Sequence, residues 1–175
     1  MIRKAEKEDI AAVAIGYLEL FAYEAKYGSR TNWIPGLYPS ESTARMAWKD
    51  ETLYVLEEDG VICGSMILNR IQPPEYRTVD WRYTAEPTEV LVLHTLCIPP
   101  SQKGKGYGRQ CIEFAMRHAA QIGCKAVRLD TWAENHPAAA LYKKAGFRFA
   151  GTAPMLLQGA AYEQQVFFER EVGQA

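Results

Sequence analysis

Residues 90–123 read VLVLHTLCIPPSQKGKGYGRQCIEFAMRHAAQIG, and no other stretch narrows the fold as much. Val90–Ile98 is almost unbroken apolar sequence, the pattern of a strand covered on both faces in mid-sheet. Pro99 and Pro100 end it. Cys111, Ile112, Ala115, Met116, Ala119 and Ile122 then recur at helical spacing as far as Gly123. A strand, a glycine-rich turn and a helix in that order predict a crossover to a parallel strand, which AVRLDTW at 126–132 supplies.

The turn, QKGKGYGRQ at 102–110, has two readings. One is a flexible surface turn, since glycine punctuates loops of every kind. The other is a phosphate cradle. A helix N-terminus carries unpaired N–H groups and a positive partial charge, and an anion binds there when the backbone can come close. Gly104, Gly106 and Gly108 remove three Cβ atoms and permit positive φ, so that successive amides can face one concavity. Lys103, Lys105 and Arg109 add charge at the same place. The magnesium-nucleotide loop Gly-x-x-x-x-Gly-Lys-Ser/Thr is not met, and the dinucleotide spacing Gly-x-Gly-x-x-Gly fails because the third glycine comes one residue early.

The flanks predict a mixed α/β chain. A strand at Ile2–Ala5 precedes a helix carrying Ile10, Val13, Ala14, Tyr17 and Phe21 on one face, with Asp9 at its start. Residues 22–40 read as a loop or broken helix, and Ser40 caps a short helix through about Lys49. Residues 52–70 form a hairpin around Asp59-Gly60. The proline-bearing segment 71–89 reads as irregular. Pro137 opens a helix that ends at Gly146, and strands at Phe147–Thr152 and about Tyr162–Glu171 flank a loop at 153–161.

At 175 residues, the expectation is one domain, 1–175. Lys plus Arg number 20 against 21 Asp plus Glu, so no overall field draws in nucleic acid or an anionic membrane. Cys63, Cys97, Cys111 and Cys124 show no metal-ligand spacing and read as reduced packing residues of a cytoplasmic protein, with no metal expected. Glu6, Glu8, Asp9 and Glu19 interrupt what would be a signal-peptide core, so neither a signal peptide nor a membrane span is expected.

Lys103-Gly104-Lys105-Gly106-Tyr107-Gly108, followed downstream by RLDTWAENHPAAALYKKAGF at 128–147, resembles the GNAT superfamily of acyl-CoA-dependent N-acetyltransferases in order and spacing from about Glu89 to Gly151. Lys103 departs from the family's Gln or Arg; it stays cationic but lacks a planar fork. The resemblance implies a mostly antiparallel sheet with a central, splayed parallel pair flanked by helices, and acetyl-CoA as cosubstrate. The pantetheine arm would bond to backbone at Leu96 and Ile98, and the pyrophosphate would lie on the loop at Lys103, Gly104, Lys105, Gly106, Tyr107, Gly108 and Arg109. Asn135 matches a pantetheine contact, although it reads equally as a helix cap. Tyr142 matches a tyrosine near the thioester sulfur that donates a proton; packing between helix and sheet is common for the residue type, and its place after Leu141 in the motif favours the acid role.

His94 alternates with Leu96 and Ile98 on one strand face. It reads equally as the base that deprotonates the acceptor, directly or through water, and as a hydrogen-bonded core histidine. Glu89 should face the other way unless a bulge intervenes. His118 and His136 read as surface or capping residues. No Ser-His-Asp or Cys-His arrangement offers a nucleophile, so the acceptor amine is expected to attack directly in a ternary complex. Family-variable segments 22–40, 71–88 and 153–161 would form the acceptor site, for a small-molecule or peptide amine. Tyr23, Tyr27, Trp33, Tyr38 and Trp81 line it or, in the preferred reading, pack loops onto the sheet. A CoA-binding sensor without an acceptor is the alternative. The resemblance leaves a homodimer open, and also the identity of the acceptor and the length of the acyl group.

Overall fold

The structure is a computed structural model that describes residues 1–157 and 161–173. Its backbone divides into two units, residues 1–68 with 94–111 and residues 69–93 with 112–175.

In the first unit, β1 (Ile2–Lys4) pairs antiparallel with β2 (Leu53–Glu58), which pairs antiparallel with β3 (Val61–Asn69). Asp59 and Gly60 join β2 to β3 with φ of 51° and 76°, the left-handed pair that a tight hairpin turn needs. Helix α1 (Asp9–Tyr27) buries Ile10, Val13, Tyr17, Leu20 and Phe21, the face expected from the sequence. It runs one and a half turns past Phe21, because nothing in AYEAKY breaks a helix before Gly28, whose N–H closes onto the Glu24 carbonyl at 2.8 Å. The irregular segment expected from residue 22 therefore starts at Gly28. Helix α2 (Glu41–Lys49) is capped as expected: Ser40 Oγ accepts from Thr43 N, and Thr43 Oγ1 accepts from Ser40 N at 3.1 Å. α1, α2 and the sheet enclose a core of Val13, Tyr17, Ala44, Leu53, Val55, Ile67 and Cys97.

Strand β4 (Val90–Cys97) and helix α3 (Tyr107–Gln121) belong to both units along their lengths. In the second unit, β4 pairs parallel with β5 (Ala126–Trp132), in a register that joins Val90–Val92 to Ala126–Arg128. Beyond it, β5 is paired antiparallel with β7 (Ala161–Glu171) along its whole length, and β7 with β6 (Arg148–Leu157). Residues 153–157, expected in a loop, lie in the β6–β7 ladder, where Leu157 pairs with Ala161; residues 158–160 of that segment fall outside the described residues. Helix α4 (His136–Lys144) follows β5. One face of this unit's sheet carries a core of Tyr76, Val79, Val90, Val92, Ala150, Ala153 and Phe167.

Hydrogen bonding orders the seven strands β1-β2-β3-β4-β5-β7-β6, with β4–β5 the parallel pair. This is the mixed, mostly antiparallel architecture expected from the sequence.

Candidate functional site

The first unit holds the glycine turn and the half of β4 that leads into it. Gly104 and Gly106 have φ of 81° and 78°, and a Cβ added at either would meet nothing within 4 Å. The open space shows that glycine is required there for backbone conformation and not for packing. Gly108 differs from expectation: it is the second residue of α3 and is not left-handed, because the helix has already begun at Tyr107. Among the described residues, the amides of Gly104, Lys105, Gly106 and Gly108 donate to no carbonyl. Unbonded amides, left-handed glycines and a helix N-terminus fit a diphosphate.

Contacts distant in sequence hold this turn. Ser101 donates to Glu19 of α1 through its N–H at 2.5 Å and its hydroxyl at 3.0 Å. Tyr107 is buried, and its hydroxyl donates to Glu58 of β2; that bond holds the phenol well above its ordinary pKa. Lys103 Nζ lies over the Tyr23 ring, 4.0 Å from its centroid, and Lys105 Nζ donates to Gln102 Oε1 at 3.0 Å.

Along β4 and into the residue after it, His94, Leu96 and Ile98 are half-buried and Thr95 and Cys97 are buried. Gly64 of β3 makes room for one of them, since a Cβ there would stand 2.6 Å from Ile98 Cδ1. Thr95 has φ of 49°, an outlier for a β-branched residue, and its hydroxyl shares a short hydrogen bond with Tyr38. The sequence carries no signal for this strained position, because neither threonine nor a neighbour of the left-handed type marks it. Burial pushes the Cys97 and Cys111 thiols up to about 12, which leaves neither as a nucleophile.

In the second unit, Asn135 caps α4: its Oδ1 accepts from Ala138 N at 3.3 Å, while its Nδ2 donates to none of the described residues. Tyr142 is buried against Phe147 and Phe168, with ring centroids 6.2 and 5.8 Å away. Burial first, then the charge of Asp130, pushes its phenol well above the ordinary tyrosine range. Asp130, which drew no notice in the sequence, is half-buried and accepts from the Tyr76 hydroxyl at 2.7 Å. Glu89 is bound to Lys125 at 2.8 Å and caps its own turn through Glu86 N; the lysine holds it below the usual carboxylate range, which makes it a poor base. His136 is exposed beside Glu134, and His118 stacks on Phe114. Of the aromatic loop residues, Trp33 packs on the first unit's core and Trp81 on the second's.

Among the described residues, no group of three or more His, Cys, Asp or Glu could hold a metal, and no helix is long and apolar enough to cross a membrane.

Comparison with known proteins adds the following. The acetyltransferase (GNAT) family matches residues 15–147. Streptothricin acetyltransferase of Escherichia coli is 30% identical over 95 residues, 54% of this chain; the match spans about half, 51%, of that relative's length. An acetyltransferase of the GNAT family from Streptococcus agalactiae superposes with a TM-score of 0.84 at 18% identity, covering 100% of this chain and 96% of the other. Salmonella typhimurium yncA, solved with its cofactor acetyl-CoA, superposes with a TM-score of 0.69 at 18% identity, covering 100% and 95%.

Proposed function

This chain belongs to the acetyltransferase (GNAT) family, and we propose that it transfers the acetyl group of acetyl-CoA to a primary amine of a small molecule or peptide. The observation that carries this reading is the pair of left-handed glycines, Gly104 and Gly106, at the mouth of α3 with their amides unbonded. Acetyl-CoA supplies an acyl group activated as a thioester.

The backbone amides of residues 104–109 and the cations of Lys103, Lys105 and Arg109 hold the diphosphate. Tyr107 acts through its anchor on Glu58, which keeps the first turn of α3 in place. Backbone groups of Leu96 and Ile98 bind the pantetheine arm, and Asn135 contributes its Nδ2, since its Oδ1 is engaged with the helix. Tyr142 stays protonated at neutral pH. Its upward shift makes it a weaker acid than a free tyrosine, so it serves by hydrogen bonding to charge developing on the departing sulfur. His94 takes the proton of the acceptor amine, directly or through water. Two inert buried thiols and the lack of a nucleophile motif favour direct attack in a ternary complex over an acyl-enzyme. Residues 1–175 act as one N-acetyltransferase domain in the cytoplasm.

The test is calorimetry with acetyl-CoA followed by thiol release across a panel of amines. Binding with thiol release that depends on one amine class is the expected result. Binding with no release from any amine would turn the reading into a CoA sensor, and no binding would end it.

A further inference from the structure

Several recessed carboxylates among the described residues have a cation or several donors, whereas half-buried Asp130 and Glu75 each have a single neutral donor. Buried Glu169 is paired with Arg148 at 2.6 Å, half-buried Glu89 with Lys125 at 2.8 Å and Asp9 with Arg3 at 2.6 Å. Buried Glu24 accepts from two backbone amides and two hydroxyls. Asp130 has one neutral donor, Tyr76, on Oδ1; among the described residues, nothing donates to its Oδ2 and no cation lies within ion-pair distance.

Arg128, two residues earlier on the same face of β5, is the obvious counter-ion, but it is committed elsewhere. Its guanidinium stacks 4.4 Å from the Trp81 ring centroid and donates to Gln72 Oε1 at 2.8 Å and the Tyr83 carbonyl at 3.0 Å. Taking a carboxylate out of water with one neutral hydrogen bond is costly, and a cation is what offsets that cost. Beneath Asp130 the Tyr76 ring packs edge-on against Phe167, with centroids 5.3 Å apart. Both rings are themselves buried, so what this position offers a ligand is the half-buried carboxylate, which suits an ammonium group.

We infer that Asp130 receives the cationic nitrogen of the acceptor. The inference rests on the acetyltransferase reading and specifies how its acceptor is held: a molecule that reaches the enzyme as an ammonium ion, with that charge against Asp130. Burial pushes Asp130 up to about 6, so the group is ionised at neutral pH, when it is needed. The charged and titratable groups around it are Tyr76 and Glu75 from the turn at 74–78, Arg128 on its own strand and Tyr142 from α4.

The test separates this from catalysis by omitting acetyl-CoA. Benzylamine and its neutral analogue benzyl alcohol are titrated at pH 7.5 against the whole protein, by NMR of the backbone amides. The expected result is at least tenfold tighter binding of benzylamine to the wild type. Asp130→Asn, which keeps an oxygen for the Tyr76 hydroxyl, abolishes the preference, while Tyr76→Phe, which keeps the charge, retains it. No preference in the wild type, or an undiminished one in Asp130→Asn, overturns the inference and leaves Asp130 as a bracket for Tyr76. With any amine that supports thiol release, Asp130→Asn raises its KM at least tenfold and leaves acetyl-CoA affinity unchanged. A protein that releases no thiol with any amine defeats the acetyltransferase reading, and the benzylamine comparison still decides this one.

Discussion

Lys103 Nζ lies 4.0 Å from the centroid of the Tyr23 ring, so the first cation of the glycine turn rests on an aromatic face supplied by α1. An ammonium held this way gains about 0.5–1 kcal/mol at an exposed site and is restrained beside the turn it serves. Tyr23→Leu is expected to weaken acetyl-CoA binding about two- to fivefold, measured by calorimetry at low salt. A loss that vanishes in the Lys103→Ala background would show that the two residues act together.

Gly106 has a φ of 78° in open space, so a side chain there is resisted by the backbone and not by neighbours. Gly106→Val should cost about 1–2 kcal/mol in stability, a melting shift of about 2–8 °C. Acetyl-CoA affinity should fall at least tenfold, because the turn must abandon the conformation that aims its amides. Gly106→Asn, a residue that tolerates the left-handed region, should lose less on both measures.

Tyr142→Phe removes one hydroxyl from a buried ring and leaves its packing against Phe147 and Phe168 in place. Turnover is expected to drop about 100-fold or more while the acetyl-CoA dissociation constant stays within about twofold. Equal turnover in the variant would make Tyr142 a packing residue.

Glu169 is fully buried and accepts from Arg82 N at 2.6 Å and Arg148 Nη2 at 2.6 Å, with Arg128 Nε 3.9 Å away. Arg128 Nε makes no hydrogen bond of its own, so this carboxylate is what compensates it. Glu169→Gln is expected to destabilise the fold by about 3–5 kcal/mol in urea unfolding, because it strands a buried guanidinium.

Asp130 also makes a prediction about stability and pH. Its folded pKa is raised to about 6, against about 3.9 in an unfolded chain. As pH rises, the unfolded chain releases this proton first, so ionisation of Asp130 costs stability progressively between about pH 4 and pH 6. Asp130→Asn should therefore gain stability relative to the wild type across that window, with the difference levelling off above it. Chemical denaturation at pH 4, 5, 6.5 and 7.5 measures this, and a difference that stays flat over those values would contradict it.

What the sequence determined by itself is local. Asp59-Gly60 turns, Ser40 caps, AVRLDTW is a strand to the residue, and the glycines at 104 and 106 take the left-handed conformation their spacing suggested. Side-chain periodicity, capping chemistry and φ preference act over a few residues, so a one-dimensional reading can recover them. The tertiary structure decided which distant groups meet: Ser101 with Glu19, Tyr107 with Glu58, Tyr38 with Thr95, and Asp130 with Tyr76. Those pairings depend on strand register and on where each loop closes, and a carboxylate's partners are set by them and not by its neighbours in the chain. That is why Asp130 looked like any strand residue in RLDTW and became notable only when its surroundings were found to offer it one hydroxyl and no cation.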